Sequence, residues 1–204
     1  MARKENASVI QTASAKRPPL TKKLILDAAL KIIETEGMEK LSMRRIAALL
    51  DCSVAGPYVY FTNQEEILKA LIDDGEARLT AELKAAVQTK VDIFDKIFIL
   101  MQTYKSFASA NRELHKLMFA MGGRGKSFSL ISPSYRVYFE TVRQGAKNGA
   151  IRCDRAGYHA IARAMWSWGY GLVVLELARH PETKKSEIDP IAEGMELFKK
   201  LLQP

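Results

Sequence analysis

The chain has 204 residues, 48% of them hydrophobic and 26% charged. Those proportions belong to a soluble globular protein long enough to bury its own core. They exclude a disordered chain, a collagen-like repeat and a disulfide scaffold. The net charge of +8 is spread unevenly: residues 1–61 hold 10 Lys/Arg against 6 Asp/Glu, and residues 62–204 hold 21 against 17, so each part carries +4. A basic N-terminal third points to a polyanionic partner, nucleic acid first and an anionic membrane surface second. A merely soluble basic surface is the plain alternative. Cys52 and Cys153 form neither a disulfide framework nor a zinc spacing, which fits a reducing, cytoplasmic compartment. The basic start of the chain has no apolar run of secretory type, and no stretch approaches the ~18 apolar residues of a membrane span.

Taken in chain order, residues 1–19 read as a basic flexible arm ending at Pro18-Pro19. Nearly everything after it reads as helix, with no strand-like alternation and no repeats. Thr21 caps a first helix, Lys22 to Glu36, whose apolar stripe is Leu24, Ile25, Ala28, Ala29, Ile32 and Ile33; Gly37 ends it. Ser42 caps a short helix from Met43 to Leu50, and Asp51-Cys52 makes a turn. Ser53 is expected to cap a third helix ending near Phe61. Asn63 with Glu66 forms a capping box for a longer helix reaching Gln88. Further helices are expected at 92–110, 112–121, 133–148, 154–180 and 190–202, the third and fifth opened by Ser132-Pro133 and Asp189-Pro190. The fold class is all-α: three short helices in front and a long-helix bundle behind.

Two short helices joined by a tight turn in a basic region make a helix-turn-helix candidate, although any packed helix pair can look alike. The second helix of the pair would enter the major groove. The first, with Arg44 and Arg45, would lie across the phosphates, to which guanidinium forks donate. The stretch from Leu20 to Leu71 resembles the TetR family of transcriptional regulators. The marks are ILDAAL, Gly37, Ser42-Met-Arg-Arg-Ile-Ala, Ser53, Tyr58-x-Tyr60-Phe61 and Asn63-x-Glu65-x-x-Leu68. The resemblance implies a DNA-binding domain over 20–71 and a helical domain over 72–204 that dimerises and binds a small effector. It implies phosphate contacts for Ser42 and Arg44, backbone or groove-wall contacts for Tyr58 and Tyr60, and base-facing positions for Ala55 and Gly56. Arg45, Ser53 and Asn63 complete the candidate set. The sequence departs from the pattern at Asp51, Cys52, Gln64 and Pro57. Aspartate tolerates the left-handed turn conformation, and Cys52 reads as a small buried hydrophobe. Pro57 removes a backbone donor inside the reading helix. Between Ser53 and Phe61 there is no Arg, Lys, Asn or Gln, so bidentate readout of guanine or adenine is not available there. Specificity then falls to Ala55, Gly56, Val59, Ser53, the tyrosine hydroxyls and DNA shape, with Lys16 and Arg17 of the arm placed for a minor groove.

The C-terminal part is less specific. Arg163 to Ala178 resembles the tryptophan–histidine–glycine signature of one TetR subfamily, with Tyr170 in the histidine's place. In this helix Ala160, Ala164, Ser167, Gly171, Val174 and Ala178 form a small-residue stripe. In the last helix Ile191, Met195, Phe198 and Leu202 form an apolar one. Both are expected at a four-helix homodimer seam, or else packed inside one subunit. Tyr104, Met118, Phe119, Tyr138, Trp166 and Tyr170 are the candidate effector contacts, while His115 reads as surface or core. Ala120 to Ser127 loosely matches a phosphate-binding loop, but that chemistry needs a strand before it and a helix precedes it here. With no metal cluster, nucleophile elbow or carboxylate pair, no enzyme activity and no cofactor is expected. The sum is a dimeric, effector-responsive DNA-binding repressor with double-stranded DNA as partner. An effector-independent architectural DNA-binding protein is the alternative.

Overall fold

A computed structural model of the chain describes residues 19–120, 132–154, 157–178 and 188–204. The expected arm through Pro18 and the loose phosphate-loop match beyond Ala120 lie outside the described residues. Among the described residues the elements are α1 (Lys22–Glu36), a 3-10 turn (Met38–Lys40), α2 (Met43–Leu49), α3 (Ala55–Tyr58), α4 (Gln64–Val87), α5 (Ile93–Ala110), α6 (Arg112–Ala120), α7 (Pro133–Lys147), α8 (Gly157–Ala178) and α9 (Pro190–Leu202). No strand occurs among them.

The helix starts follow from local chemistry. The first backbone N–H groups of a helix have no partner inside it, so a preceding oxygen that accepts one fixes the start. Thr21 accepts from the Leu24 N–H at 3.2 Å, Ser42 from Arg45 at 3.1 Å and Asn63 from Glu66 at 2.9 Å. Ser132 and Asp189 do the same for α7 and α9, each followed by proline. Gly37 closes α1 at φ +96, a region that penalises any Cβ.

Helices α1 to α3 and the start of α4 close over one apolar centre: Ile25, Ile32, Met43, Ile46, Phe61, Ile67 and Leu71 are buried there. Helix α4 then runs on without a break at residue 71 and packs against α5, α6 and α7. The middle of the second core is α5, which touches α4, α6, α7, α8 and α9. Its Ile97, Leu100, Met101, Tyr104 and Phe107 are buried. No described helix is long and apolar enough to cross a membrane.

The two expected seam stripes part company. On α8 the small residues Ala160, Ala164, Ser167, Val174 and Ala178 are exposed, and a Cβ at Gly171 would meet nothing. On α9, by contrast, Ile191 and Met195 are buried within the subunit, and Phe198 packs edge-on against Trp168. The α9 stripe is therefore spent on the subunit's own core. Helix α9 is amphipathic, and α5 offers it an apolar surface without a second chain. Leu197 and Leu201, on its other side, stay exposed.

Glycines set two close approaches of α8. A Cβ at Gly194 would overlap the Trp168 indole ring, and one at Gly169 would overlap the Met101 thioether. A pinned ring cannot yield as a flexible methionine can, and overpacking costs ~1–3 kcal/mol. Gly194→Ala should therefore lower the urea midpoint, followed at 222 nm, clearly more than Gly169→Ala. Equal midpoints for the two variants would show that Trp168 is not held in place.

Candidate nucleic-acid interface

The turn between α2 and α3 rests on Asp51, a non-glycine residue at positive φ (+49), as its expected tolerance of that region allows. The next N–H, of Cys52, reaches back to the Ala47 carbonyl at 2.9 Å. Ser53 does not cap α3: Val54 stands in front of the helix, already in helical conformation, and no side chain caps it. The helix is correspondingly short, with Val59 and Tyr60 continuing it as turns. The reason lies in Pro57. A regular helix would send the residue 57 N–H to the Ser53 carbonyl, and proline has none. That carbonyl is taken by the Gly56 N–H at 2.8 Å instead, and the Phe61 N–H closes onto the Pro57 carbonyl at 3.0 Å. The proline leaves no acceptor orphaned.

Helix α3 and its flanks have two clear sides. Pro57 and Phe61 are buried. A Cβ at Gly56 would point at the Cys52 sulfur and Leu20, each 3.2 Å away, so this position faces into the domain over the half-buried cysteine. The Tyr60 hydroxyl donates to the Leu20 carbonyl and ties α3 to the chain entering α1. On the other side Ser53, Val54, Ala55, Tyr58 and Val59 are exposed.

The two arginines of α2 have different neighbours. Arg45 makes a forked contact with Glu36, its Nε 2.9 Å and its Nη2 2.6 Å from the two carboxylate oxygens. This holds the end of α1 to α2. The guanidinium's hydrogen bonds, more than its charge alone, hold the Glu36 carboxyl below its ordinary pKa. Arg44 is exposed and has no hydrogen-bond or ion-pair partner among the described residues. The Ser42 oxygen accepts the Arg45 N–H, which leaves its own proton free to donate. Asn63 caps α4, and Glu66 reaches back past it to the Thr62 N–H at 2.7 Å and the Thr62 hydroxyl at 2.9 Å. Sequence reasoning did not single out Glu36, Leu20 or Val54. Only for Glu36 was there a signal, a carboxylate as the last residue of α1 followed at short range by an Arg-Arg pair.

In the second core five of the six candidate effector contacts join one ring cluster. Tyr104 packs on Phe119 and Trp166, Phe119 on Tyr170, and Trp166 on Tyr138. The sixth, Met118, is buried beneath Gly75 of α4. His115 belongs to the cluster: it is buried, stacks near Phe119, and its Nε2 lies 2.8 Å from the Tyr104 hydroxyl. Burial lowers its pKa to about 4. The neutral ring and the Tyr104 hydroxyl share one hydrogen bond, whose donor is set by the ring's tautomer. Among the described residues two buried polar side-chain atoms have no partner, the Tyr138 hydroxyl and Glu76 Oε2. The other Glu76 oxygen accepts the Ser134 N–H at 2.6 Å, and burial pushes this carboxyl's pKa up. A separate open groove of about 570 Å³ lies between α4, α5 and α7, lined by Thr80, Lys84, Lys96, Arg136 and Val137 among others, and by none of the six.

Residues 25–71 match the family of bacterial regulatory proteins, tetR family, and residues 97–196 match the tetracyclin repressor-like C-terminal domain. The chain belongs to the TetR family. That family is one of bacterial regulatory proteins, and α2 and α3 lie within the residues of the N-terminal match. Among curated relatives it is 28% identical to the nucleoid occlusion factor SlmA of Haemophilus influenzae (strain PittGG) over 102 residues, 47% of either chain. It is 34% identical to the nicotine-responsive transcriptional repressor HdnoR of Paenarthrobacter nicotinovorans over 68 residues, 33% of either chain. The chain thus spans half or less of the length of these relatives. Among solved structures it superposes on a protein with unknown function from Rhodococcus sp. RHA1 with TM-score 0.77 and 23% identity, covering 90% of this chain and 95% of that one. The ketosteroid transcriptional regulator KstR2 of Mycobacterium tuberculosis gives TM-score 0.62 at 13% identity, covering 93% and 98%. These likenesses concern the fold.

The two arginines should separate by assay. Arg44→Ala should leave the melting temperature unchanged, weaken binding to specific and random DNA alike, and reduce the salt slope by about one per subunit. Arg45→Ala should lower the melting temperature at pH 7. Glu36 has a depressed folded pKa, so its contribution is present above the unfolded value and is lost as pH falls through the folded one. The deficit of Arg45→Ala should therefore shrink in acid. An unaltered salt slope for Arg44→Ala would remove it from the phosphate contacts.

His115 sets a second pH dependence. An unfolded imidazole takes up a proton near pH 6.5, whereas folded His115 resists until about 4. Between those values the unfolded state binds more protons, so stability falls as pH drops. The urea midpoint of His115→Gln should fall less steeply over that window than that of the parent protein. Parallel slopes would place the acid sensitivity elsewhere.

Proposed function

We propose that the protein is a homodimeric, effector-responsive repressor that binds a near-palindromic DNA site with one α3 in each of two major-groove segments. The observation that carries this reading is where apolar surface is left uncovered. Of the nine large apolar side chains exposed among the described residues, Val54, Tyr58 and Val59 lie on α3 and its flanks, and Val174, Leu175, Leu197 and Leu201 lie on α8 and α9. Only Val91 and Ile188 fall elsewhere. A soluble monomer rarely leaves such patches uncovered. In this reading the first patch meets DNA, and the second, with the open small-residue stripe of α8, meets a second copy.

The roles divide accordingly. Residues 20–71 are the DNA-binding domain and residues 72–204 the effector and dimerisation domain. Arg44 and the Ser42 hydroxyl donate to phosphates, and Ser53, Ala55 and Tyr58 face the groove. Gly56, which faces Cys52 and Leu20, joins Arg45, Tyr60 and Asn63 in holding the reading surface in shape. The effector is a small amphipathic molecule. It opens the aromatic cluster of Tyr104, Phe119, Tyr138, Trp166 and Tyr170 over Met118 and satisfies the Tyr138 hydroxyl and Glu76 Oε2. The nicotine response named for HdnoR supports a small amphipathic effector. The protein acts in the cytoplasm, by binding and not by catalysis. Effector binding favours a dimer whose two DNA heads are wrongly spaced.

Sedimentation at micromolar concentration should give one species near twice 22.9 kDa. Leu175→Arg with Leu201→Arg, both at exposed positions, should keep the helical circular dichroism, convert this species to monomer, and abolish binding to a two-half-site duplex. A monomeric parent protein would sink the operator-spacing argument. Solvent extraction of protein purified from cells, followed by mass spectrometry, should give a small amphipathic compound that releases the DNA. Binding unchanged by every extracted compound would favour the effector-independent reading.

A further inference from the structure

The outward side of α3 is apolar where a reader of hydrogen-bonding edges would be polar. Val54 is 51% exposed, Tyr58 53% and Val59 78%. Val54 and Val59 both have helical dihedrals, at φ −57, ψ −29 and φ −65, ψ −27. Val54 pairs with Tyr58 and Ala55 with Val59 at i, i+4, and the four positions together fall within an arc of about 140° on the outward side. The inward side is committed: Gly56 to Cys52 and Leu20, Tyr60 to the Leu20 carbonyl, Pro57 and Phe61 to the core. Between Ser53 and Phe61 no side chain can grip the donor–acceptor edge of a purine with two bonds. The remaining chemistry in a major groove that an apolar surface can distinguish is the C5-methyl group of thymine. No other standard base carries one.

We propose that Val54 and Val59 read thymine C5-methyl groups, so that the preferred DNA site is defined by the placement of thymines and not by guanine or adenine edges. The inference rests on α3 entering the major groove. Five residues at 1.5 Å rise separate the two valines by about 7.5 Å along the helix. That spans about two steps of 3.4 Å along a strand, so the two methyl groups belong to base pairs about two steps apart. Ala55 lies between them and is small enough to let the backbone come close. Tyr58, on the same face, presents its hydroxyl to the adjoining phosphate or base edge. Arg44 and the other cations hold the complex to the backbone and add no sequence preference.

The test uses the full-length protein. A duplex is selected from a random pool, and each thymine is then replaced in both half-sites by deoxyuridine, which keeps every hydrogen-bonding atom and lacks only the methyl group. Burying one methyl is worth about fourfold in affinity, so a symmetric pair of replacements should cost about fifteenfold at one or two positions and little at the rest. Val54→Ala and Val59→Ala, at exposed positions, should bind the thymine duplex more weakly by a similar factor. Each should also lose its discrimination against deoxyuridine at its own position. Tight binding of the selected duplex with no deoxyuridine effect at any position would overturn the proposal and leave DNA reading by α3 standing. A deoxyuridine effect unchanged in both valine variants would give the methyl contact to another residue and overturn the assignment. Failure to select any duplex over random DNA would overturn both the proposal and the reading of α3 beneath it.

Discussion

Helix α4 is the constraint on which the rest depends. Its 24 residues form one rod, about 36 Å long at the ordinary helical rise, with no glycine-hinged or proline-kinked break where the two domains meet. The first turns bury Ile67, Leu68 and Leu71 against the helices that carry α3. The later turns bury Gly75, Leu79 and Leu83 in the bundle. The rod therefore ties the placement of α1 to that of the bundle helices α5, α6 and α7. The cap at its start matters for the same reason: Asn63, Glu66 and Thr62 lock the chain immediately after Phe61, which fixes α3 relative to the rod.

Helix α6 gives a second path. Gly75 of α4 leaves room for it, since a Cβ there would meet the Met118 sulfur at 2.9 Å and Leu114 at 3.2 Å. The same short helix touches α1 and carries His115 and Phe119 of the ring cluster. A molecule that prised Tyr104 away from His115 would disturb α6 first. Helix α6 can pass that disturbance to α4 through Met118 and to the DNA head through α1. Sites are coupled when both bias one element with two arrangements, and α6, like α4, touches both regions.

Most of the fold was legible because helix ends obey local rules. Thr21, Ser42, Asn63, Ser132 and Asp189 each accept a hydrogen bond from the turn they precede, as their types and spacing predict. Failures came where a second element decides. Ser53 has the right type for a cap, but Pro57 diverts its carbonyl to Gly56 and shortens the helix. The α9 stripe has the right period for a seam, yet periodicity shows only that a face is buried, not whether the burying surface belongs to the same chain. The identity of adjacent arginines said nothing about their division of labour. That was decided by Glu36, nine residues upstream of Arg45 and brought beside it by the turn at Gly37. The aromatic cluster was legible as a set of residues, while its closed packing depends on side-chain directions that spacing does not supply.

The apolar reading face divides the work of binding DNA between two forces that respond differently to conditions. In the proposed reading, phosphate contacts from Arg44 and the basic N-terminal third are electrostatic and weaken with salt, equally on every sequence. Burial of Val54 and Val59 against methyl groups removes apolar surface from water, which carries no such salt term and depends wholly on which bases are present. Rising salt therefore lowers total affinity through the first force while leaving discrimination by the second intact. The arrangement has a cost, because exposed valines and a tyrosine on a short helix form a sticky surface whenever DNA is absent. The fold limits that cost by keeping the reading helix to four residues and turning Gly56, Pro57, Tyr60 and Phe61 inward. What remains outside is Val54, Tyr58 and Val59 with Ala55, placed where a groove can cover them.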